Sequence, residues 1–110
     1  GKKYLDCAMY QRSGDLFLGV PFNIASTSLL VYIISNITGV FPGKISIMIG
    51  DAHIYDDHCE ILKQQINREP YPFPQLIIEN KYDDINNYEV KDFIVENYYY
   101  CDALKMNMRV

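Results

Sequence analysis

Two stretches of the chain carry the period-two pattern that β-strands produce. Residues 44–50 have isoleucine at every second position, with Ser46 and Met48 between them, and predict a strand with one apolar face. Residues 3–11 have apolar side chains on both parities, which indicates a strand that is partly covered on both faces. We therefore expect two strands, at residues 3–11 and 44–50.

Between these strands, residues 24–38 are apolar on almost every side and predict a helix that Gly39 ends. We expect residues 20–23 to turn the chain into this helix, with Asn23 or Ser26 as its N-cap. A helix that is apolar all round is normally buried, and a chain of 110 residues builds only a modest core. The pattern therefore indicates apolar surface from outside this chain.

The second half of the chain predicts one more helix and several extended segments. Asp57 and Glu60 have the spacing of a capping box, and Glu69-Pro70 is expected to end the helix that follows. A proline-rich connector at residues 70–74 leads to a predicted strand at 76–79. A polar loop with one short helical turn follows at 80–92, and two further strands are predicted at 93–99 and 104–108.

Length and composition fit one small domain and limit its partners. The 110 residues are 49% apolar, which excludes a disordered chain, and the net charge of −4 without a Lys/Arg block argues against nucleic-acid binding. No uninterrupted apolar run reaches transmembrane length, so no membrane partner is expected. The three cysteines have no disulfide spacing, and we expect reduced thiols and a cytoplasmic location.

The candidate chemistry is concentrated between residues 11 and 23. This stretch holds a cation (Arg12), a hydroxyl (Ser13), a carboxylate (Asp15) and an amide (Asn23), with two glycines between them. A guanidinium matches a phosphate bidentately, and a carboxamide presents the acceptor and donor that an imide edge such as uracil requires. The same residues also fit a surface loop in which Arg12 and Asp15 form an ion pair.

Three segments resemble motifs of the thymidylate synthase family. Residues 10–15 with 18–26 resemble the family's nucleotide-binding signature. Residues 50–55 resemble its second nucleotide motif, and residues 68–74 resemble its proline-rich turn. The resemblance implies an α/β (α+β) fold class, with a mixed sheet and a buried central helix that are incomplete in this chain. It also implies that residues 1–110 form the C-terminal portion of a single domain whose N-terminal part is missing here.

The resemblance implies that the chain binds deoxyuridylate (dUMP). Arg12 and Ser13 would hold the 5′-phosphate, and Asn23 would pair with the uracil imide and also act in catalysis. His53 and Tyr55 would donate to the deoxyribose hydroxyl, which excludes ribonucleotides. The implied substrate-binding set is Gln11, Arg12, Ser13, Gly14, Asp15, Asn23, His53 and Tyr55.

The implied co-substrate is 5,10-methylenetetrahydrofolate, the carbon donor and hydride source. Asp15, the second implied catalytic residue, would bond the pterin ring, and the C-terminal tail would close over the folate as a lid. Arg109 stands where the family usually has Ala, and residues 97–102 replace its Gly-Tyr-x-Pro-His-Pro, so the likeness is weakest at the tail. The implied cofactor-binding set is Asp15, Leu18, Gly19, Phe22, Arg109 and Val110.

The family's nucleophile is a cysteine in a Pro-Cys-His context upstream of the aligned region. Cys7, Cys59 and Cys101 have no such context, so this chain alone is expected to be inactive. The implied parent is a homodimer joined through a sheet face, with possible fusion to a dihydrofolate reductase. Two alternatives stay open: a non-catalytic packing or dimerisation module, and a deoxycytidylate hydroxymethylase, in which Asp is expected at position 23.

A metal site is a further alternative that the sequence disfavours. The candidate ligands match no compact zinc pattern, and we expect no metal. They are Asp51, His53, Asp56, Asp57, His58 and Cys59.

Overall fold

The computed structural model describes residues 1–108, and two parallel strands organise its first half. Strand β1 spans Tyr4–Asp15 and strand β2 spans Phe41–His53, joined by helix α1 over Gly19–Thr38. Both predicted strands are confirmed, and both run further toward their carboxyl ends than the alternation indicated. The register continues to the pair Asp15 and His53, because the strands stay paired after the apolar pattern ends.

Helix α1 begins at Gly19, five residues before the predicted start. Residues 20–23 form its first turn and do not reverse the chain, because Pro21 is tolerated in a first turn, where its missing N–H has no partner to lose. The prediction that Asn23 or Ser26 caps the helix is therefore wrong. The predicted end is confirmed: Gly39 has φ 75° and donates its N–H to the Ser35 carbonyl.

The chain covers α1 only in part. Val20, Val31 and Ser35 are buried, whereas Phe22 is 75% exposed and Leu30 is 46% exposed. This pattern agrees with the expectation that α1 needs additional apolar surface. With 20 residues and a mean hydropathy of 1.4, α1 also meets the length and composition criterion for a membrane span, which the search for uninterrupted apolar runs missed. Core helices of soluble proteins meet the same criterion.

The second half of the described chain contains helix α2 (Cys59–Ile66) and strands β3 (Gln75–Ile78) and β4 (Phe93–Glu96), which pair antiparallel. The expected α/β class is confirmed, and the parallel and antiparallel pairs form separate two-stranded sheets within residues 1–108. Strand β4 is shorter than predicted because Asn97 adopts φ 58° directly after it.

Two local predictions in this half are wrong. Residues 104–108 form no strand; they run without a neighbouring strand to pair with. Asp57 is not the N-cap of α2, because the residue before the helix is His58, whose side chain makes no capping bond. The turn Asp56–His58 instead leads into α2 as a short 3₁₀ helix.

The polar segment 80–92 is ordered around one buried carboxylate. Asp92 Oδ2 accepts from the Glu89 backbone N–H at 2.8 Å, and Oδ1 accepts from Asn80 Nδ2 at 2.8 Å and Tyr82 Oη at 3.1 Å. These hydrogen bonds hold the pKa of Asp92 below its usual value, and the bond from the Glu89 N–H has the largest effect. Burial and the bond to Asp92 raise the pKa of Tyr82. The segment predicted as a loop is thus fixed by a single acidic residue.

We expect Asp92→Asn to lower the Tm at pH 7, because an amide nitrogen cannot accept the Glu89 N–H. The pKa of Asp92 lies below its ordinary value of 3.8 in the folded chain. Its stabilising contribution is therefore complete above that value and is lost as pH falls through the lower, folded-state pKa. The Tm difference from the parent chain should be constant between pH 7 and 5 and shrink at pH 3. Thermal melts followed by circular dichroism check this, with exposed Asp83→Asn as the control. A difference that does not change with pH would contradict it.

Candidate functional site

The candidate site lies where the carboxyl ends of β1 and β2 meet. Parallel strands bring these ends to one edge of a sheet, the usual place for ligand binding in α/β folds. Asp15 is the register partner of His53, and the Leu16 N–H donates to the His53 carbonyl at 2.9 Å. The two segments that resemble nucleotide motifs are therefore adjacent, although Asp15 and His53 are 38 positions apart in the chain.

A hydrogen bond between two amides joins this edge to the first turn of α1. Gln11 Nε2 donates to Asn23 Oδ1 at 2.9 Å and to the Ser13 carbonyl at 2.8 Å. Gln11 Oε1 is buried and has no partner among residues 1–108. Since a carbonyl oxygen has two lone pairs, Asn23 Oδ1 can accept a second hydrogen bond while Nδ2 donates. The bond from Gln11 thus holds the Asn23 amide in place and leaves Nδ2 and one lone pair of Oδ1 for a ligand.

Arg12 is exposed and lies on the other parity of β1 from half-buried Gln11 and Ser13. No ion pair described within residues 1–108 includes Arg12, so the alternative of an Arg12–Asp15 pair is not formed. Asp15 Oδ1 instead accepts from the Phe17 and Leu18 N–H groups, at 3.1 and 3.2 Å. The structure describes no contact between Arg12 and Asn23; the phosphate and base of a nucleotide lie at opposite ends, so their partners need not touch.

His53 and Tyr55 lie together just after Asp15. Strand β2 ends at His53, so Tyr55 lies outside the strand, yet the two rings meet edge to face with centroids 5.3 Å apart. His53 Nδ1 lies 3.2 Å from the Asp51 carbonyl and 3.5 Å from its carboxylate. These contacts hold the His53 ring through Nδ1, and no hydrogen bond of Nε2 is described within residues 1–108.

The residues expected to bind the co-substrate line one apolar hollow. Asp15, Leu18, Gly19 and Phe22 surround a volume of about 360 Å³ together with Met108 of the C-terminal tail. Arg109 and Val110, the other members of the predicted set, lie outside the described residues. Phe22 is 75% exposed and offers a free aromatic face to a flat ligand.

His58 is fully buried and has a contact that was not expected from the sequence. Its Nε2 lies 2.8 Å from the Asn107 carbonyl, although the two residues are 49 positions apart along the chain. It had been considered only as a metal ligand. Within residues 1–108, no three His, Cys, Asp or Glu side chains are grouped as metal ligands would be. Local sequence carries no signal for this contact.

Comparison with known proteins gives one consistent result. The family model described as thymidylate synthase matches residues 1–110. Human thymidylate synthase is 52% identical over 106 residues, covering 96% of this chain and 34% of the human protein. Thymidylate synthases of equine herpesvirus 2 and Saccharomyces cerevisiae are 49% and 46% identical, covering 96% and 100% of this chain. The chain spans about a third of the length of these curated relatives.

The junction between β1 and α1 leaves no room for a side chain at Gly14. A Cβ there would lie 2.9 Å from Val20 Cγ2 and 3.3 Å from Gln11 Nε2, and Val20 is itself buried. We expect Gly14→Ala to lower the free energy of unfolding by about 1–3 kcal/mol. Urea denaturation measures it. The matched control is Gly19→Ala, whose Cβ would have nearest neighbours at 3.7 and 3.9 Å. Equal effects of the two substitutions would contradict the packing described here.

Proposed function

Because the chain belongs to the thymidylate synthase family, we propose that it supplies the nucleotide- and folate-binding residues of a thymidylate synthase. In this proposal it is the C-terminal portion of a protein that converts dUMP to thymidylate (dTMP) by reductive methylation, with 5,10-methylenetetrahydrofolate as co-substrate. The observation that carries the proposal is the junction of Gln11, Asn23, Asp15 and His53 at one strand edge.

The phosphate of dUMP is proposed to bind Arg12 and Ser13. A guanidinium engaged in no described ion pair can give both of its parallel N–H groups to phosphate oxygens. Ser13 is the second proposed phosphate donor, through its hydroxyl, and lies on the opposite parity of β1 from Arg12. Gly14 follows, and its missing side chain is already required by the packing against Val20. The local positive charge of Arg12 is sufficient for one phosphate despite the acidic total charge of the chain.

The uracil ring is proposed to pair with Asn23. With Oδ1 held by Gln11 Nε2, the second lone pair of Oδ1 can accept the ring N–H while Nδ2 donates to the neighbouring carbonyl. Cytosine presents the reverse pattern, a ring acceptor and an amine donor, and would leave both groups unpaired. His53 and Tyr55 are proposed to bind the deoxyribose hydroxyl. Because a carbonyl oxygen only accepts, His53 Nδ1 donates to Asp51, and a ring whose Nδ1 carries the hydrogen leaves Nε2 to accept a hydrogen bond from the sugar hydroxyl, while Tyr55 donates to it.

Folate fits the hollow between Asp15 and Met108. Leu18, Gly19 and Phe22 give an apolar wall, and the second carboxylate oxygen of Asp15 has no partner described among residues 1–108. That oxygen can accept from the amino group of a pterin. When bound, methylenetetrahydrofolate supplies the one-carbon unit and the hydride. The chain's residues orient it, and the tail, extending to Arg109 and Val110, is proposed to exclude water.

The nucleophile is proposed to come from outside this chain, which by itself would be inactive. Cys7 lies within β1, paired with Ile45, and Cys59 lies at the start of α2. None of Cys7, Cys59 and Cys101 is among the residues proposed to hold uracil. We also propose a cytoplasmic homodimer joined through the outer face of β1 and β2, where Tyr4 is 60% exposed and Tyr10 is 72% exposed.

The second candidate function is a module that only packs against a partner chain. The exposed apolar residues of α1 and the absence of a suitable cysteine among residues 1–110 favour it. Titrating dUMP into this chain mixed with an N-terminal piece of a family member separates the two. Saturable binding supports the enzyme; no binding in the mixture, with both pieces folded, supports the packing module.

We expect Arg12→Gln in the complete protein to raise the KM for dUMP about 10- to 100-fold. One charge-assisted hydrogen-bonding group to phosphate accounts for a change of this size. Steady-state kinetics measure it. Inhibition by deoxyuridine, which has no phosphate, should change by less than about twofold, and Lys44→Gln, an exposed cation elsewhere, should change neither value. An equal loss for dUMP and deoxyuridine would contradict the phosphate role.

We expect Asn23→Asp to shift the nucleotide preference from dUMP toward deoxycytidylate by about 100-fold or more, within the range that hydrogen-bond mismatch gives. A protonated carboxyl can pair with cytosine, and a carboxylate cannot donate to uracil. Competition between the two nucleotides, measured on parent and variant, gives the ratio. An unchanged ratio would refute the role given to Asn23. A parent protein that already prefers deoxycytidylate would favour the hydroxymethylase alternative.

A further inference from the structure

His58 is a polar ring in an apolar setting. Its side chain is fully buried, and the rings of Phe17 and Tyr55 lie against it with centroids 6.3 and 5.6 Å away. It closes the 3₁₀ turn Asp56–His58, directly before α2. Asp57 Oδ1 is 4.0 Å from His58 Nε2, longer than a hydrogen bond. A buried imidazole normally needs partners for both nitrogens.

The one hydrogen bond described for this ring goes to the C-terminal tail. His58 Nε2 lies 2.8 Å from the Asn107 backbone oxygen. Because a carbonyl oxygen only accepts, Nε2 must carry the hydrogen and donate it. Nδ1 is buried and has no partner among residues 1–108. If the tail moved away, Nε2 would lose this hydrogen bond, so the bond to Asn107 resists that movement.

The tail has few described hydrogen bonds, and its Leu104 and Met106 side chains are half-buried. Residues 101–108 contain no helix or strand. Their described side-chain hydrogen bonds are two: Arg68 Nη2 donates to the Asp102 carbonyl at 2.8 Å, and His58 donates to the Asn107 carbonyl. The second bond lies one residue before Met108, which forms part of the wall of the hollow proposed to take folate. The position of that wall therefore depends on His58.

We propose that His58 is a positioning residue that fastens the C-terminal tail over this hollow by donating a hydrogen bond to the Asn107 carbonyl. His58 touches neither the nucleotide nor the folate in this proposal; it acts through the tail. Fastening of the tail is independent of the proposed function, whereas its consequence for folate binding rests on that function. The two are therefore measured separately.

The first measurement follows the tail itself. Trypsin cleaves after Lys105, and cleavage needs several residues around this bond to detach from the protein. In the complete protein, His58→Leu removes the donor, and we expect the initial rate of cleavage after Lys105 to rise about tenfold, the change that one lost hydrogen bond gives. His58→Gln places an amide N–H near the position of Nε2, and its rate should stay within about twofold of the parent rate.

The second measurement follows the ligands. In His58→Leu we expect the KM for methylenetetrahydrofolate to rise about tenfold, with the KM for dUMP within about twofold of the parent, and rescue of the folate KM in His58→Gln. Cys59→Ser, an exposed neighbour on α2, is the matched control and should change neither rate nor KM.

In a chain truncated after Met106, His58→Leu should have no further effect, because the acceptor is gone. If His58→Leu gives too little folded protein, His58→Met removes the same donor with a side chain that adapts to the space.

Four outcomes would overturn the proposal. Three are unchanged cleavage after Lys105 in His58→Leu, equal losses in His58→Gln and His58→Leu, and a further loss caused by His58→Leu in the truncated chain. The fourth is an equal rise in both KM values, because it indicates a general structural role. The parent protein could fail to use methylenetetrahydrofolate while His58→Leu is still cleaved faster after Lys105. That result would support the fastening of the tail and refute the proposed function.

Discussion

The structure depends on the parallel pairing of β1 with β2. Because the strands run in the same direction, their carboxyl ends meet, and the chain must cross back between them through α1. This single constraint brings Asp15 beside His53 and sets the first turn of α1 next to Gln11. A different pairing would separate the segments that resemble nucleotide motifs, whatever residues they contain. The proposed function therefore rests on backbone topology before it rests on any side chain.

Much of this topology was predictable from local pattern. Alternation located both strands, and Gly39 marked the end of α1, because a left-handed residue after a helix strongly favours glycine. Boundaries were less predictable. The start of α1 was missed because Pro21 and Asn23 are common in turns and equally acceptable in the first turn of a helix. The tail was misjudged as a strand because its apolar residues have a period of two, but a strand also requires a neighbour.

The candidate site divides in the same way. Gln11, Arg12, Ser13, Asp15 and Asn23 were found through a family resemblance, since their types alone also suit a surface loop. The bond between Gln11 and Asn23 and the two hydrogen bonds that Asp15 accepts from the Phe17 and Leu18 N–H groups needed coordinates, because each depends on how α1 meets β1. The contact between His58 and the Asn107 carbonyl joins residues far apart in the chain through a backbone atom, and no residue type in the sequence encodes it. The uncovered face of α1 agrees with a chain that spans about a third of the length of its curated relatives.

The central claim is that Arg12 and Asn23 bind opposite ends of one pyrimidine nucleotide at the edge shared by β1 and β2. A crystal structure of the complete protein with dUMP tests it most directly. The account predicts phosphate oxygens within hydrogen-bonding distance of the Arg12 guanidinium, and the uracil imide edge paired with Asn23, which itself remains bonded to Gln11. Nucleotide bound elsewhere, or Arg12 and Asn23 directed into separate environments with the ligand touching only one of them, would contradict it.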